Sequence, residues 1–208
     1  MEEVPTTPKK TTPWGKLFAV LTIIFMAGWA LALYVEKPAQ EKNVLEKFNV
    51  SGHSFYKLKD GTFGTVIDSG GQKIPIAFYL DPRNASAIPM SGNYTALLDK
   101  QKIYITFNPN QQNLSHFGIA AAQLARIPAM YGIKVIGAYS EDANPVDPNV
   151  PIKTCKDASE TTGIIFLTLG NNTSVYGQDN CFYVVGASPG DLVLAADRLS
   201  YALLGLKL

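Results

Sequence analysis

The chain is poor in the residues on which most enzyme chemistry is built, with 2 His and 2 Cys among 208 residues. Neither His53 nor His116 has a Cys, Asp or Glu partner at ligand spacing, so no metal and no cofactor is expected. Cys155 and Cys181 stand too far apart for a CxxC redox pair. The turn Gly186-Ala187-Ser188-Pro189-Gly190 is read as similar in composition to the strained elbow of a serine hydrolase but wrong in spacing, with helix capping as its explanation. Asp191 behind that turn would repel a phosphate, and no P-loop lysine follows it. Asp157 and Glu160, beside Cys155, are read as solvated caps rather than a catalytic carboxylate pair. Charge is scarce too, at 17% of residues. From Glu36 to Leu208 the 12 Lys and 3 Arg balance 15 Asp and Glu. Nucleic-acid binding needs a basic excess to engage phosphates, so nucleic acid is excluded as a partner.

Apolar residues, by contrast, reach 47%. Much of that excess sits in Leu17 to Val35, 19 residues without a charge. As a helix this stretch is about 28 Å long, close to the hydrocarbon thickness of a bilayer. Trp14 and Tyr34 bracket it at interfacial positions, and Lys16 and Glu36 close its ends. Ala30-Leu31-Ala32 has the small-x-small pattern of a signal-peptidase site, but the apolar run continues through Leu33, Tyr34 and Val35. The reading is a retained signal-anchor in the lipid bilayer, after a Pro- and Thr-rich tail over residues 1–16.

Flanking charge does not orient the span, since Lys9, Lys10 and Lys16 are matched by Lys37, Lys42 and Lys47. Two other signals do. An even pair of cysteines in the large C-terminal part permits a disulfide between Cys155 and Cys181 outside the cytosol. Asn-x-Ser/Thr also occurs six times, at Asn49, Asn84, Asn93, Asn113, Asn171 and Asn172. Chance would give about one or two for this Asn, Ser and Thr content. The expectation is a cytoplasmic N-terminus and an extracytoplasmic, glycosylated domain on the cell membrane.

The rest of the chain alternates between element types. Residues 36–50 are read as a stalk, with Gln40 to Phe48 a short helix or extended lead, and residues 51–208 as the exterior domain. Asp60-Gly61 and Ser69-Gly70-Gly71 divide Ser54 to Leu80 into three strands, with Pro75 marking an edge or a bulge. Lys102 to Phe107, a helix from about Ser115 to Pro128, and Ile133 to Tyr139 form a βαβ unit with parallel strands. Glu141 to Val150 is an acidic loop. Gly163 to Leu169 and Asn180 to Val185 are strands joined by the turn-rich Gly170 to Asp179. Ser188-Pro189-Gly190-Asp191 is a capping box that opens a last helix, closed at Gly205. The fold class is α/β: one transmembrane helix, then a mixed sheet with a meander at one side, a βαβ unit and a docked C-terminal helix.

The segments CKDA, IIFLTL, NCFYVVG and DLVLAADRLSYALLGL resemble a family of short, membrane-anchored archaeal proteins of unknown function. The strand-turn-helix ending is also similar to the terminal motifs of archaeal surface-layer proteins. The resemblance spans about 50 residues, resting on the AADRLSYALLG helix and the two cysteines, and implies a cell-envelope protein with no catalytic residues to transfer. A ligand in an open α/β sheet binds beyond the carboxyl ends of the strands. That position belongs to the loop Asn108 to Asn113, whose Asn108, Asn110, Gln111 and Gln112 offer amides to a sugar or peptide. The expected role is an interaction module for a protein or glycan partner at the cell surface, as a subunit of an envelope or membrane assembly. One alternative is an enzyme acting on envelope polymers or lipids, its residues gathered only by the fold. Another is an accessory factor for secretion or glycosylation, contacting its partner through Ala27, Gly28, Ala30 and Ala32 of the span.

Overall fold

A computed structural model describes residues 43–140, 147 and 149–206. The tail, the expected span Leu17 to Val35 and most of the acidic loop from Glu141 lie outside the described residues. Among the described residues no helix is long and apolar enough to cross a membrane.

Four strands, β1 (Val44–Val50), β2 (His53–Leu58), β3 (Phe63–Ser69) and β4 (Gln72–Phe78), form an antiparallel meander. Gly70 and Gly71, both at positive φ, make the two-residue turn between β3 and β4. Pro75, on the edge strand β4, pairs with Val66 of β3, a position that its missing N–H tolerates. The sequence reading needs correction at the start of this sheet. Strand β1 begins at Val44, inside the segment read as a helix or stalk, and pairs with β2 from Val44↔Leu58 to Val50↔His53. The spacing of Val44, Leu45 and Phe48 suits a helix, but Phe48 stacks on Phe55 of β2 and its pairing decides the outcome. His53, read as lying between stalk and sheet, is the first residue of β2 and exposed.

A second, six-stranded sheet has the order β5-β9-β10-β8-β6-β7. Its members are β5 (Met90–Ser91), β6 (Lys102–Phe107), β7 (Lys134–Tyr139), β8 (Thr162–Leu169), β9 (Ser174–Gln178) and β10 (Cys181–Gly186). Strands β10, β8, β6 and β7 run parallel, and β9 is antiparallel to β10. Helix α1 (Leu114–Met130) links β6 to β7, so the expected βαβ unit is present. The sheet is mixed, and the meander is a separate sheet rather than one side of it. Strand β9 lies inside Gly170 to Asp179, which reads as turn. Its Gly177 accepts the Phe182 ring where a Cβ would stand 2.1 Å from a ring carbon, so the glycine that looks like a breaker is a packing site.

Helix α2 (Pro189–Leu203) starts with Ser188 as N-cap, accepting from Asp191 N–H at 3.2 Å, and ends before Gly205 at φ 77°. The sequence shows one apolar stripe, Leu192, Ala196, Leu199 and Leu203. The structure buries Val193, Ala195, Tyr201 and Ala202 as well. A helix buried all round has protein on both sides. On one side α2 packs on β8, β9 and β10. On the other, Tyr201 meets Phe78 at 4.3 Å and Phe55 at 6.0 Å between ring centroids. Helix α1 reaches the same meander, with Gln123 Nε2 and Arg126 Nη2 both donating to Ala77 O. The layers are therefore meander, helix pair, six-stranded sheet, and one core runs through all three.

The polar residues of α2 hold the chain where it leaves the meander. Asp197, fully buried, accepts from Tyr79 N–H at 2.5 Å and Leu80 N–H at 2.9 Å through Oδ2. Tyr201 Oη donates to Leu80 O at 2.5 Å, and Arg198 Nε donates to Ile88 O at 3.4 Å. Asp197 Oδ1 has no partner among the described residues. Burial pushes the Asp197 carboxyl up to about 7, against the two backbone donors and Arg126, which favour the ionised form. In the unfolded chain this group ionises near pH 4. Between about pH 4 and pH 7 the unfolded state therefore binds fewer protons than the folded state, and stability falls as pH rises. The expected loss over this window is on the order of 4 kcal/mol. Urea titrations at steps between pH 4 and pH 7 should show the slope in the parent and a flattened profile in Asp197→Asn. An equal slope in both would remove Asp197 as its source.

Candidate functional site

Strand alternation assigns each residue of the second sheet to a face. Ile103, Ile105, Ile165, Leu167, Phe182 and Val184 belong to the core beneath the helices. Their neighbours Tyr104, Ile164, Phe166 and Tyr183 therefore point to the opposite face, over which the described residues place no α-helix. On this face the pairings Tyr176↔Tyr183 and Tyr183↔Phe166 align three aromatic residues across β9, β10 and β8. The Tyr176 and Tyr183 rings stack at 4.9 Å with 16° between their planes, and Phe166 follows at 5.6 Å. Adjacent strands lie about 4.8 Å apart, so rings standing on paired residues stack along the row. Tyr176 ends the row and is 43% exposed.

The segment from Pro151 to Thr162 crosses the same face as a strap. At its start Tyr139 N–H donates to Pro151 O and Lys153 N–H to Tyr139 O, at 2.9 and 2.8 Å. Thr106 Oγ1, on the open face of β6, donates to Lys153 O at 2.8 Å. Thr154 and Asp157 form a capping box, and Lys153 Nζ pairs with Asp157 at 2.8 Å. The hydrogen bond from Lys153 and the backbone N–H of Thr154 hold the Asp157 carboxyl below its usual range. The cap reading of Asp157 thus agrees with its contacts. Cys155 and Cys181 are joined in a disulfide, with Cα atoms 5.3 Å apart, which pins the strap to the start of β10. Tyr183 Oη lies 3.0 Å from Cys155 Sγ, so the aromatic row abuts the staple. Ile164 on this face is fully buried, while Phe166 and Tyr183 stay half-buried. Lys102 Nζ of β6 and Lys153 Nζ of the strap lie 5.7 and 5.6 Å from the Tyr104 ring centroid.

The loop amides and sequon asparagines singled out in the sequence are distributed around this face rather than on it. Asn108 to Asn113 lies beyond the carboxyl end of β6, with Asn108 Oδ1 accepting from Asn110 N–H at 2.9 Å. Asn110 and Gln112 are exposed, and Asn108 and Gln111 are partly buried. Asn113 caps α1 in the left-handed conformation, φ 62°, without a side-chain cap bond. The loop leads onto the helix side of the sheet, away from the aromatic row. All six sequon asparagines are exposed. Asn49 is on β1, Asn84 and Asn93 lie in the connection to β6, Asn113 starts α1, and Asn171 and Asn172 join β8 to β9. None stands on the open face of the six-stranded sheet. Nearer the carboxyl strand ends, His116 Nδ1 and Ser140 Oγ are buried without a partner among the described residues.

Gly186 to Gly190 does meet the spacing and the strand-turn-helix context of a nucleophile elbow. Its conformation does not. Ser188 is extended, φ −139° and ψ 167°, and its hydroxyl donates to Asp191 Oδ2 at 2.7 Å. The hydroxyl serves the helix cap.

Tyr104, Phe166, Tyr176 and Tyr183 are the surface residues that the sequence reading passes over. A period-2 reading of KIYITF, GIIFLTL and NCFYVV places Tyr104, Phe166 and Tyr183 opposite the aliphatic set, which is the available signal. Tyr176 carries no such signal, because its strand reads as turn. Comparison with protein-family models, curated proteins and solved structures finds no match for the chain, so the site rests on its own geometry.

The disulfide closes a loop with a sequence separation of 26 residues, worth about 3.5 kcal/mol in the chain-entropy account. Urea unfolding with and without reductant should show a loss of that order. Coincident midpoints would mean that the strap is held without the staple.

Proposed function

We propose that this chain is a membrane-anchored, extracytoplasmic binding module that receives a protein or glycan partner on the open face of its six-stranded sheet. The observation that carries the reading is the in-register row Phe166, Tyr183 and Tyr176 beside a disulfide-pinned strap. Rigid aromatic side chains supply large apolar contact area at low conformational-entropy cost, and Tyr adds a hydroxyl for orientation. The strap makes the face preorganised, so little ordering would remain to be done on binding.

Placement outside the cytoplasm is supported by the disulfide, by the excess of sequons, and by the exposure of every sequon asparagine. Sugars on those asparagines would coat the meander, the β4–β6 connection and the carboxyl strand ends. The aromatic face would stay clear. Anchorage rests on the length and flanks of Leu17 to Val35.

Two measurements test the parts separately. In intact cells a membrane-impermeant maleimide should label Cys155 and Cys181 only after an impermeant reductant is added; labelling only in lysed cells would put the domain inside. A photo-crosslinking phenylalanine analogue at Tyr176 should capture a partner in intact cells, while the same analogue at Val66, on the outer side of the meander, should not. Equal capture from both positions, or capture from Val66 alone, would remove the aromatic face as the binding surface.

A further inference from the structure

A groove of about 400 Å³ opens where the meander, the segment after β4 and the first turns of α2 meet. Its size falls within the range in which small organic groups are held. The floor is apolar, with Ile88 and Leu194 beside the ring of Tyr79, which is 49% exposed. Polar groups stand at the rim: Asp81, Asp191 and the carboxamide of Asn84. Asn84 begins the sequon Asn84-Ala85-Ser86. It is the one acceptor of the six that lines this groove.

The other acceptors differ in ways that matter. The Asn93 carboxamide already accepts from its own Thr95 hydroxyl at 2.8 Å. Asn171 and Asn172 adjoin, so a glycan on one obstructs the other. Asn49 projects from a strand, and Asn113 occupies a left-handed helix cap. Asn84 is exposed, its side chain has no hydrogen-bond partner among the described residues, and its backbone is fixed by Asn84 N–H donating to Asp81 O at 2.9 Å. Pro82 and Ala85, both buried, hold this turn against the core, so the direction of the Asn84 side chain is set by the fold.

We infer that Asn84 carries an N-linked glycan whose first sugars lie back in this groove, against the Tyr79 ring. The inference rests on the extracytoplasmic reading above. Its chemistry is group transfer from a lipid-phosphate-linked oligosaccharide by a membrane transferase. The Asn84 amide nitrogen bonds to the anomeric carbon, the carbon–oxygen bond to phosphate breaks, the lipid phosphate leaves with that electron pair, and the amide proton is lost to solvent. A pyranose ring presents an apolar C–H face that suits Tyr79, Ile88 and Leu194. Its hydroxyls donate to the Asp191 carboxylate, whose Oδ2 also accepts from the Ser188 hydroxyl, while Asp81 is held by Arg83 at 2.7 Å. The groove thus combines an apolar floor with a carboxylate and an acceptor asparagine at its rim. A sugar there would cover Tyr79, an aromatic ring otherwise left to water.

The test uses the full chain purified from the membranes of its own cells. Peptide mass spectrometry across the six sequons should find a glycan on Asn84. Asn84→Gln should lower the melting temperature of this glycosylated protein by about 3 °C. The same substitution should leave unchanged the protein made in a host without N-glycosylation, and Asn49→Gln should change neither. Tyr79→Ser should erase the difference between the glycosylated parent and Asn84→Gln. Bare Asn84 with sugar on other sequons overturns this inference and leaves the extracytoplasmic placement standing. No sugar on any sequon overturns the inference and removes one support of the placement, which the thiol-labelling result then decides independently. A glycan on Asn84 whose loss leaves the melting temperature unmoved overturns its seating in the groove.

Discussion

The grip of α2 on the backbone after β4 is the constraint on which the architecture depends. Asp197 takes the N–H groups of Tyr79 and Leu80, Tyr201 caps Leu80 O, and Arg198 reaches Ile88 O. These backbone groups sit between two sheets, where neither sheet ladder reaches them, and unpaired burial would cost about 1–3 kcal/mol for each. Side chains from one helix satisfy them. Two sheets can thereby share a single helix layer. The arrangement buries a carboxylate, whose ionised form is penalised by the same burial that makes the hydrogen bonds strong.

Because the meander occupies the outer side of the helix pair, both helices are used on one face of the six-stranded sheet. On the other face the described residues place the strap from Pro151 to Thr162. A loop of this length would be held loosely if it depended on packing alone. Hydrogen bonds from Thr106 and Tyr139, the Thr154–Asp157 box and the disulfide fix it at several points along its path. The aromatic row is exposed to the extent that the strap fails to cover it. Rigidity and exposure on this face have the same origin.

Much of the fold is legible in local patterns. Strand β6, helix α1 and strand β7 follow from an apolar strand, an apolar stripe at helical spacing and a second apolar strand close behind. The meander follows from Asp60-Gly61 and Ser69-Gly70-Gly71. Strand β1 is misread because Val44, Leu45 and Phe48 fit a helical face, and only the presence of β2 gives the segment a partner. Strand β9 is misread because Gly170 to Asp179 holds turn formers, and its hairpin to β10 uses Asp179-Asn180, both at positive φ, in place of a glycine turn. Pairing energy from a neighbouring strand is not visible in the segment that receives it.

The sequence by itself determined the apolar segment Leu17 to Val35, the sequons, the cysteine pair, the α/β class and the cap of the last helix. Each is a matter of composition or of spacing within a few turns, where chain geometry leaves few options. Only the tertiary structure decided that the meander is a separate sheet, that α2 is buried on all sides from Ala195 to Leu203, and that three aromatic rings stack across strands. It also decided that Asn84 stands at a groove while the other acceptors do not line it. Those outcomes depend on which elements meet at long sequence separation, and side chains on strands are aligned by register, a property that no single strand contains.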